Sequence, residues 1–216
     1  VNFLLLDSIR RCAMYRFFYF CNIVLVFDKR LILASRSPRR KQLLEQIGLQ
    51  FEVLESNFNE VWDSNLTETE NVRIISLHKA ESIARQFYDA IIISADTIVS
   101  IDSKIFGKPI SPADAVEMLL ELSGRTHTVH TGYTILLPSQ KQIVNEVEST
   151  FVTFRKLTSQ EITDYVASGA PMDKAGAYGI QEDFGAVFVE RINGDYYNVV
   201  GLPLHKLYLS LKKFSV

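Results

Sequence analysis

Cysteine is nearly missing from this 216-residue chain: there are two, Cys12 and Cys21, both within the first thirty positions. With no Cys-x-x-Cys pair and no Cys/His pattern at zinc spacing, neither a disulfide framework nor a structural zinc site is expected. Histidine is sparse too, with four. His78, His127, His130 and His205 are scattered and none has the paired spacing of a metal-binding helix, so each reads as an ordinary surface or core residue. Net charge is small as well, -2 at pH 7, which argues against a general nucleic-acid partner and makes basic residues informative only where they cluster. No internal repeat is visible.

A membrane-spanning run is also lacking. The apolar stretch Phe17 to Phe27, preceded by Arg10, Arg11 and Arg16, is about half the length needed to cross a bilayer, and no small-x-small cleavage site follows before Leu31. Residues 1–30 therefore read as an N-terminal extension with two explanations: a start site assigned too far upstream, which an initial Val in place of Met would fit, or a membrane-surface segment. Residues 31–216 read as the folded unit. Their composition is that of an ordinary soluble globular protein, since the chain is 47% hydrophobic and 22% charged, and its length suffices for one good core.

The informative stretch is Leu31 to Gly48. A short apolar run, Leu31-Ile32-Leu33-Ala34, ends at Ser35 and Ser37. Ser37 then suits a helix N-cap and Pro38 the first helical position, Leu43, Leu44 and Ile47 share a face, and Gly48 stops the helix. Arg39 and Arg40 fall in the first turn. There the helix dipole favours Asp or Glu by about 0.3–1 kcal/mol, so two arginines oppose it. A bound phosphate would resolve the conflict, because backbone N–H groups, serine hydroxyls and two guanidinium forks would converge on it. The alternative is a solvated helix start with surface arginines.

A second oddity lies in the run Ile91-Ile92-Ile93-Ser94-Ala95-Asp96-Thr97-Ile98-Val99, which reads as a buried strand. An aspartate inside it is costly unless paired, hydrogen-bonded or metal-bound, which makes Asp96 the strongest single candidate for chemistry; an Asp tied to a local turn is the structural alternative. Lys108, between Gly107 and Pro109, presents an ammonium at a fixed point. Gln181, at the end of the glycine- and alanine-rich loop from Pro171, offers both donor and acceptor to a base edge, while Asp173 and Lys174 read as a local pair. Helices are expected after Thr67, Ser111 and Thr158, and near Leu204–Leu211. Strands are expected at Phe51–Leu54, Thr128–Leu137 and Ile143–Phe154. Ala186–Ile192 and Tyr196–Val200 are expected to pair as a hairpin about Asn193-Gly194.

Taken in order, Leu33-Ala34-Ser35-x-Ser37-Pro38-Arg39-Arg40, Ser94-Ala95-Asp96-Thr97, Gly107-Lys108-Pro109, Leu122 to His127, Asp173 to Gln181 and Gly194 to Pro203 resemble the motifs of the Maf family of nucleoside triphosphate pyrophosphatases. The resemblance covers essentially Leu31 to the C-terminus. It implies an α/β fold with a mixed curved sheet flanked by helices, two lobes around a central cleft, a cytoplasmic location, and commonly a homodimer. It implies a functional Glu60, a phosphate contact at Lys79, and a divalent cation, Mg²⁺ or Mn²⁺, shared by Glu60 and Asp96. Arg39, Thr97 and Gln181 match the specificity positions of the subgroup acting on dTTP and UTP. A sister group acting on methylated GTP usually has a bulky aromatic where Arg39 stands.

The combined inventory suits metal-assisted attack of water on phosphorus, with Asp96 accepting the proton and Arg39, Arg40, Lys79 and Lys108 neutralising a triphosphate. No membrane or nucleic-acid partner is implied. A nucleotide-binding regulator of cell division with little turnover is the competing class. One departure from the family pattern is Glu182-Asp183-Phe184-Gly185, one residue longer and more acidic than usual.

Overall fold

The computed structural model describes residues 25–181 and 184–216. The extension as far as residue 24, and Glu182 and Asp183 of the acidic insertion, lie outside the described residues. Seven strands, β1 (Arg30–Ala34), β2 (Glu52–Leu54), β3 (Ala90–Ile101), β4 (Lys104–Phe106), β5 (Thr126–Leu137), β6 (Gln142–Phe154) and β7 (Val189–Asn193), form one sheet. Its order is β2-β1-β3-β5-β6-β7, with β4 added to β3; β1 is parallel to β2 and β3, and every other pairing is antiparallel. The helices are α1 (Pro38–Gln46), α2 (Glu68–Ala84), α3 (Pro112–Leu122), α4 (Ser159–Ala167), α5 (Tyr196–Val200) and α6 (Leu204–Leu211). This is the mixed α/β architecture expected above, and among the described residues no helix is long and apolar enough to cross a membrane.

Local chemistry sets the helix starts. Ser37, Thr67, Ser111 and Thr158 each cap a helix, and Thr67 with Glu70 and Thr158 with Glu161 close reciprocal capping boxes. α2 covers one face of the sheet through Ala80 and Ile83 against Ile32, Ala34 and Ile92. The larger core lies on the opposite face, where α1, α3, α4 and α6 pack on residues such as Leu33, Ile93 and Tyr133.

Two features of β3 prepare the site. Its pairing with β1 ends at Ile93 and its pairing with β4 begins at Val99, so Ser94–Ile98 have a strand, β5, on one side only. Asp96 sits inside that gap and is paired across with Gly132 of β5. Gly132 in turn lets the α2 backbone come close: a Cβ there would lie 2.4 Å from the Val72 carbonyl oxygen.

The expected hairpin after Asn193-Gly194 does not form. Tyr196–Val200 is the short helix α5, because Asp195 accepts hydrogen bonds from the N–H groups of Tyr197 (2.7 Å) and Asn198 (3.3 Å) and so caps a helix. Asn198 then turns into the core, where its Nδ2 donates to the Val129 carbonyl and to Thr150 Oγ1, each at 3.0 Å. The β-propensity of Val199 and Val200 is outweighed by that cap and that burial. The preceding strand also starts later than expected, at Val189, after a 3-10 turn over Phe184–Phe188.

Gly132→Ala is expected to cost about 1–3 kcal/mol by overpacking against α2, read as a lower urea midpoint. A separate acid sensitivity follows from His127, whose pKa burial lowers from 6.5 to about 3. The unfolded chain takes up that proton first, so stability should be flat above about pH 6.5 and fall towards pH 3 by up to about 1.4 kcal/mol per pH unit. Urea unfolding across this range should show the slope, and His127→Phe should remove its share.

Candidate active site

A cleft of about 630 Å³ opens where β3 lacks a neighbour. Its walls gather all ten residues singled out in the sequence: Ser35, Ser37, Arg39, Arg40, Glu60, Lys79, Asp96, Thr97, Lys108 and Gln181. Trp62 and Asp173 line it as well.

Asp96 is buried, 6% exposed, and its Oδ1 lies 2.6 Å from Lys79 Nζ. Lys79 is correspondingly buried, at 7% exposure, whereas helix periodicity alone would have left it an ordinary surface lysine. Its ammonium also meets Glu60 Oε1 at 2.6 Å. The loop carrying Glu60 is tied to α2 on both sides: Ser56 Oγ and Ser82 Oγ are 2.9 Å apart, and Asn71 exchanges hydrogen bonds with the Asp63 backbone at 3.0 and 2.9 Å. One helix therefore supplies the lysine and holds the loop that presents the glutamate. Burial pushes the Glu60 carboxyl up, but the Lys79 charge and hydrogen bond, with Lys108 and Arg40 behind them, bring it below its ordinary value.

The two arginines of α1 divide their work. Arg40 is buried and spends four N–H groups on the protein: Nε donates to the Gly201 carbonyl (2.9 Å), Nη1 to the Ala95 carbonyl (2.8 Å) and Ser35 Oγ (3.2 Å), and Nη2 to Thr97 Oγ1 (3.0 Å). The Ala95 carbonyl belongs to the unpaired stretch of β3, so this guanidinium fills part of the gap in the sheet. Burial lowers the Arg40 pKa, opposed by the charges of Asp96 and Glu60. Arg39 instead reaches across the cleft to Asp173, with Nη1 2.6 Å from Oδ2 and Nη2 2.9 Å from the backbone carbonyl. Asp173 also accepts from Lys174 Nζ at 2.9 Å.

The sequence pairing of Asp173 with Lys174 is thus present, but the bridge to Arg39 was not legible from it. Nor was the Gly201 carbonyl as an acceptor for Arg40, since a backbone oxygen leaves no mark in a sequence. Thr97 Oγ1 lies 2.9 Å from Thr131 Oγ1 besides its contact with Arg40, so its hydroxyl is engaged from two sides.

Lys108 differs from the other cations: it makes no ion pair or hydrogen bond with the described residues. Burial lowers its pKa, and the neighbouring charges of Arg40, Arg39 and Lys79 add to the effect, with Glu60 opposing. An anion placed between these groups would relieve that repulsion. Among the described residues no group of three or more His, Cys, Asp or Glu could hold a metal ion unaided. The donors present, Asp96 and Glu60, are two hard carboxylates, a set that fits Mg²⁺ or Mn²⁺ sharing its shell with phosphate oxygens and water.

Comparison with known proteins gives a family match, described as Maf-like protein, over residues 30–214. A dTTP/UTP pyrophosphatase of Bacillus cereus (strain AH820) is 47% identical over 188 residues, covering 87% of this chain and 97% of the relative. A protein of the same name from Bacillus cytotoxicus is 48% identical over 187 residues, covering 87% of this chain and 96% of its own. Among solved structures, a HAM1 protein from Coxiella burnetii aligns with a TM-score of 0.48 at 14% identity, covering 86% of this chain and 99% of that one.

Arg40→Lys is expected to destabilise the fold by at least about 2 kcal/mol, because one ammonium cannot serve four acceptors and leaves buried carbonyls unpaired. The check is the urea midpoint of the variant against that of the parent protein.

Proposed function

The chain belongs to the Maf-like family, and on that basis we propose that it hydrolyses dTTP and UTP to the monophosphate and pyrophosphate. The observation that carries this reading is the convergence, in one cleft, of the buried Asp96–Lys79 pair with Arg39, Arg40, Lys108 and Glu60. Four cations around a carboxylate pair match a polyanion whose charge must be offset while water attacks. The names of the Bacillus relatives supply the choice of base.

In the proposed reaction water attacks the α-phosphorus, the bond from that phosphorus to the α–β bridging oxygen breaks, and pyrophosphate leaves with that oxygen. Asp96 accepts the proton of the attacking water, for which its place at the open edge of β3 suits it. Lys108, with no protein partner among the described residues, is the ammonium best placed to meet the phosphates, and the negative charge it meets there raises its depressed pKa. Lys79 holds Asp96 and Glu60 in place and neutralises them until substrate arrives. Arg40 frames the phosphate end, while Arg39, Thr97 and Gln181 face the base. A divalent cation held by Asp96 and Glu60 would supply Lewis-acid stabilisation of charge on the phosphoryl oxygens.

The test is pyrophosphate release by the full chain with Mg²⁺ or Mn²⁺ against dTTP, UTP, CTP and methylated GTP. Metal-dependent release from dTTP and UTP is expected. Asp96→Asn should lower kcat by at least about a hundredfold, the scale of a lost general base, while nucleotide binding is kept. Turnover of methylated GTP alone would move the chain to the sister group. Binding without turnover by the parent protein would favour the regulator.

A further inference from the structure

His127 and Tyr178 have no part in the chemistry above, yet they form a buried polar contact beneath the cleft. His127 is 1% and Tyr178 6% exposed, and His127 Nε2 lies 2.8 Å from the tyrosine hydroxyl. Both rings stand edge-on to Phe154, with centroids 4.9 and 4.7 Å away. The imidazole stays neutral at working pH because burial lowers its pKa to about 3. Its other nitrogen, Nδ1, has no partner among the described residues. Nε2 gives the buried Tyr178 hydroxyl its partner at the cost of leaving Nδ1 unpaired, so the histidine answers to that hydroxyl and not to shape alone.

The tyrosine belongs to a strained loop. Gly176 (φ +68°) and Ala177 (φ +61°) are both left-handed, and a Cβ at Gly176 would meet Val99 Cγ2 at 2.8 Å. Consecutive left-handed residues, one of them a buried alanine, persist only where the surroundings hold them. Two anchors do so on either side of the strain. The Gly176 N–H donates to the Gly107 carbonyl at 3.0 Å, tying the loop to the segment that carries Lys108, and Tyr178 is fixed by His127.

We infer that His127 is a positioning residue for nucleotide recognition: through Tyr178 it fixes the loop so that Gln181 and Lys108 address one nucleotide together. This rests on the reading of the cleft as a nucleotide site. It assigns to a core histidine, remote from the reacting atoms, a share in base selectivity.

The experiment is calorimetric titration of the full chain with imido-bridged dUTP, which cannot be cleaved between its α- and β-phosphates, and with the matching guanine analogue. Tyr178→Phe removes one oxygen and keeps the ring. Its Kd for the uracil analogue is expected to rise about three- to tenfold, the scale of one net hydrogen bond, and its preference over the guanine analogue to shrink with it. His127→Gln, whose amide can still donate to the hydroxyl, should retain more of both than His127→Leu. That comparison decides the matter even where Tyr178→Phe fails to fold. A lower melting temperature in these variants with unchanged Kd and preference would overturn the inference and make the pair a core contact only. A parent protein that binds the uracil analogue without hydrolysing dTTP would sink the proposed reaction and leave this inference standing; one that binds neither analogue would sink both.

Discussion

The structure turns on placing one carboxylate inside a sheet. An isolated charge with 6% exposure would be very costly, and Asp96 is tolerable there because Lys79 reaches it at 2.6 Å from a helix lying on the same face. That reach depends on how close α2 lies to β5. Gly132, opposite Asp96 in the register, has no side chain to hold the helix off, and Ser76 of α2 meets Thr134 of β5 at 3.0 Å one step further on. Removing Lys79 would strand Asp96, whereas Lys79 without Asp96 would keep Glu60, so the carboxylate depends on the helix and the glycine that brings it close.

The gap beside β3 explains why the same place is open to a ligand. A strand with neighbours on both sides keeps its edge groups for the sheet, but Ser94–Ile98 have one neighbour, and the Ala95 carbonyl is taken by Arg40 instead. A guanidinium thus does part of the work of a missing strand. The cations around the gap are graded by what holds them: Arg40 by four neutral acceptors, Lys79 by two carboxylates, Arg39 by Asp173 and Lys108 by none of the described residues. A triphosphate bound as proposed would meet the fully engaged guanidinium of Arg40 and a desolvated ammonium in Lys108, whose repulsion by its neighbours already favours an anion.

Much of this was legible in the sequence, for identifiable reasons. Local rules wrote the caps at Ser37, Thr67, Ser111 and Thr158, and a charge inside an apolar run marked Asp96 before any contact was known. What escaped was non-local or carried by backbone. The burial of Lys79 is set by the distance between α2 and β5, which helix periodicity does not encode. Arg39 meets Asp173 across 134 positions of chain, and the Gly201 carbonyl could belong to any residue. The error at Tyr196–Val200 has a different origin. Two valines spoke for a strand, and a single aspartate capping two N–H groups outweighed them, so a turn-like Asn-Gly pair came to precede a helix.

The cleft also divides its labour by element. In the proposed reaction Asp96 and Lys79 sit on β3 and α2, where burial leaves little freedom, and the half-exposed Glu60 comes from a loop that α2 pins. Of the groups proposed to face the base, Thr97 is on β3 and Arg39 on α1, whereas Gln181 ends the loop from Pro171, built on left-handed residues and held by a few polar contacts. A strained loop with few anchors can change its pose with one substitution, whereas the Asp96–Lys79 unit cannot shift without exposing a stranded charge. On the proposed function, changes in this loop should alter which base is accepted before they alter the hydrolysis. The bridge from Arg39 to Asp173 ties α1, which carries both arginines, to that loop.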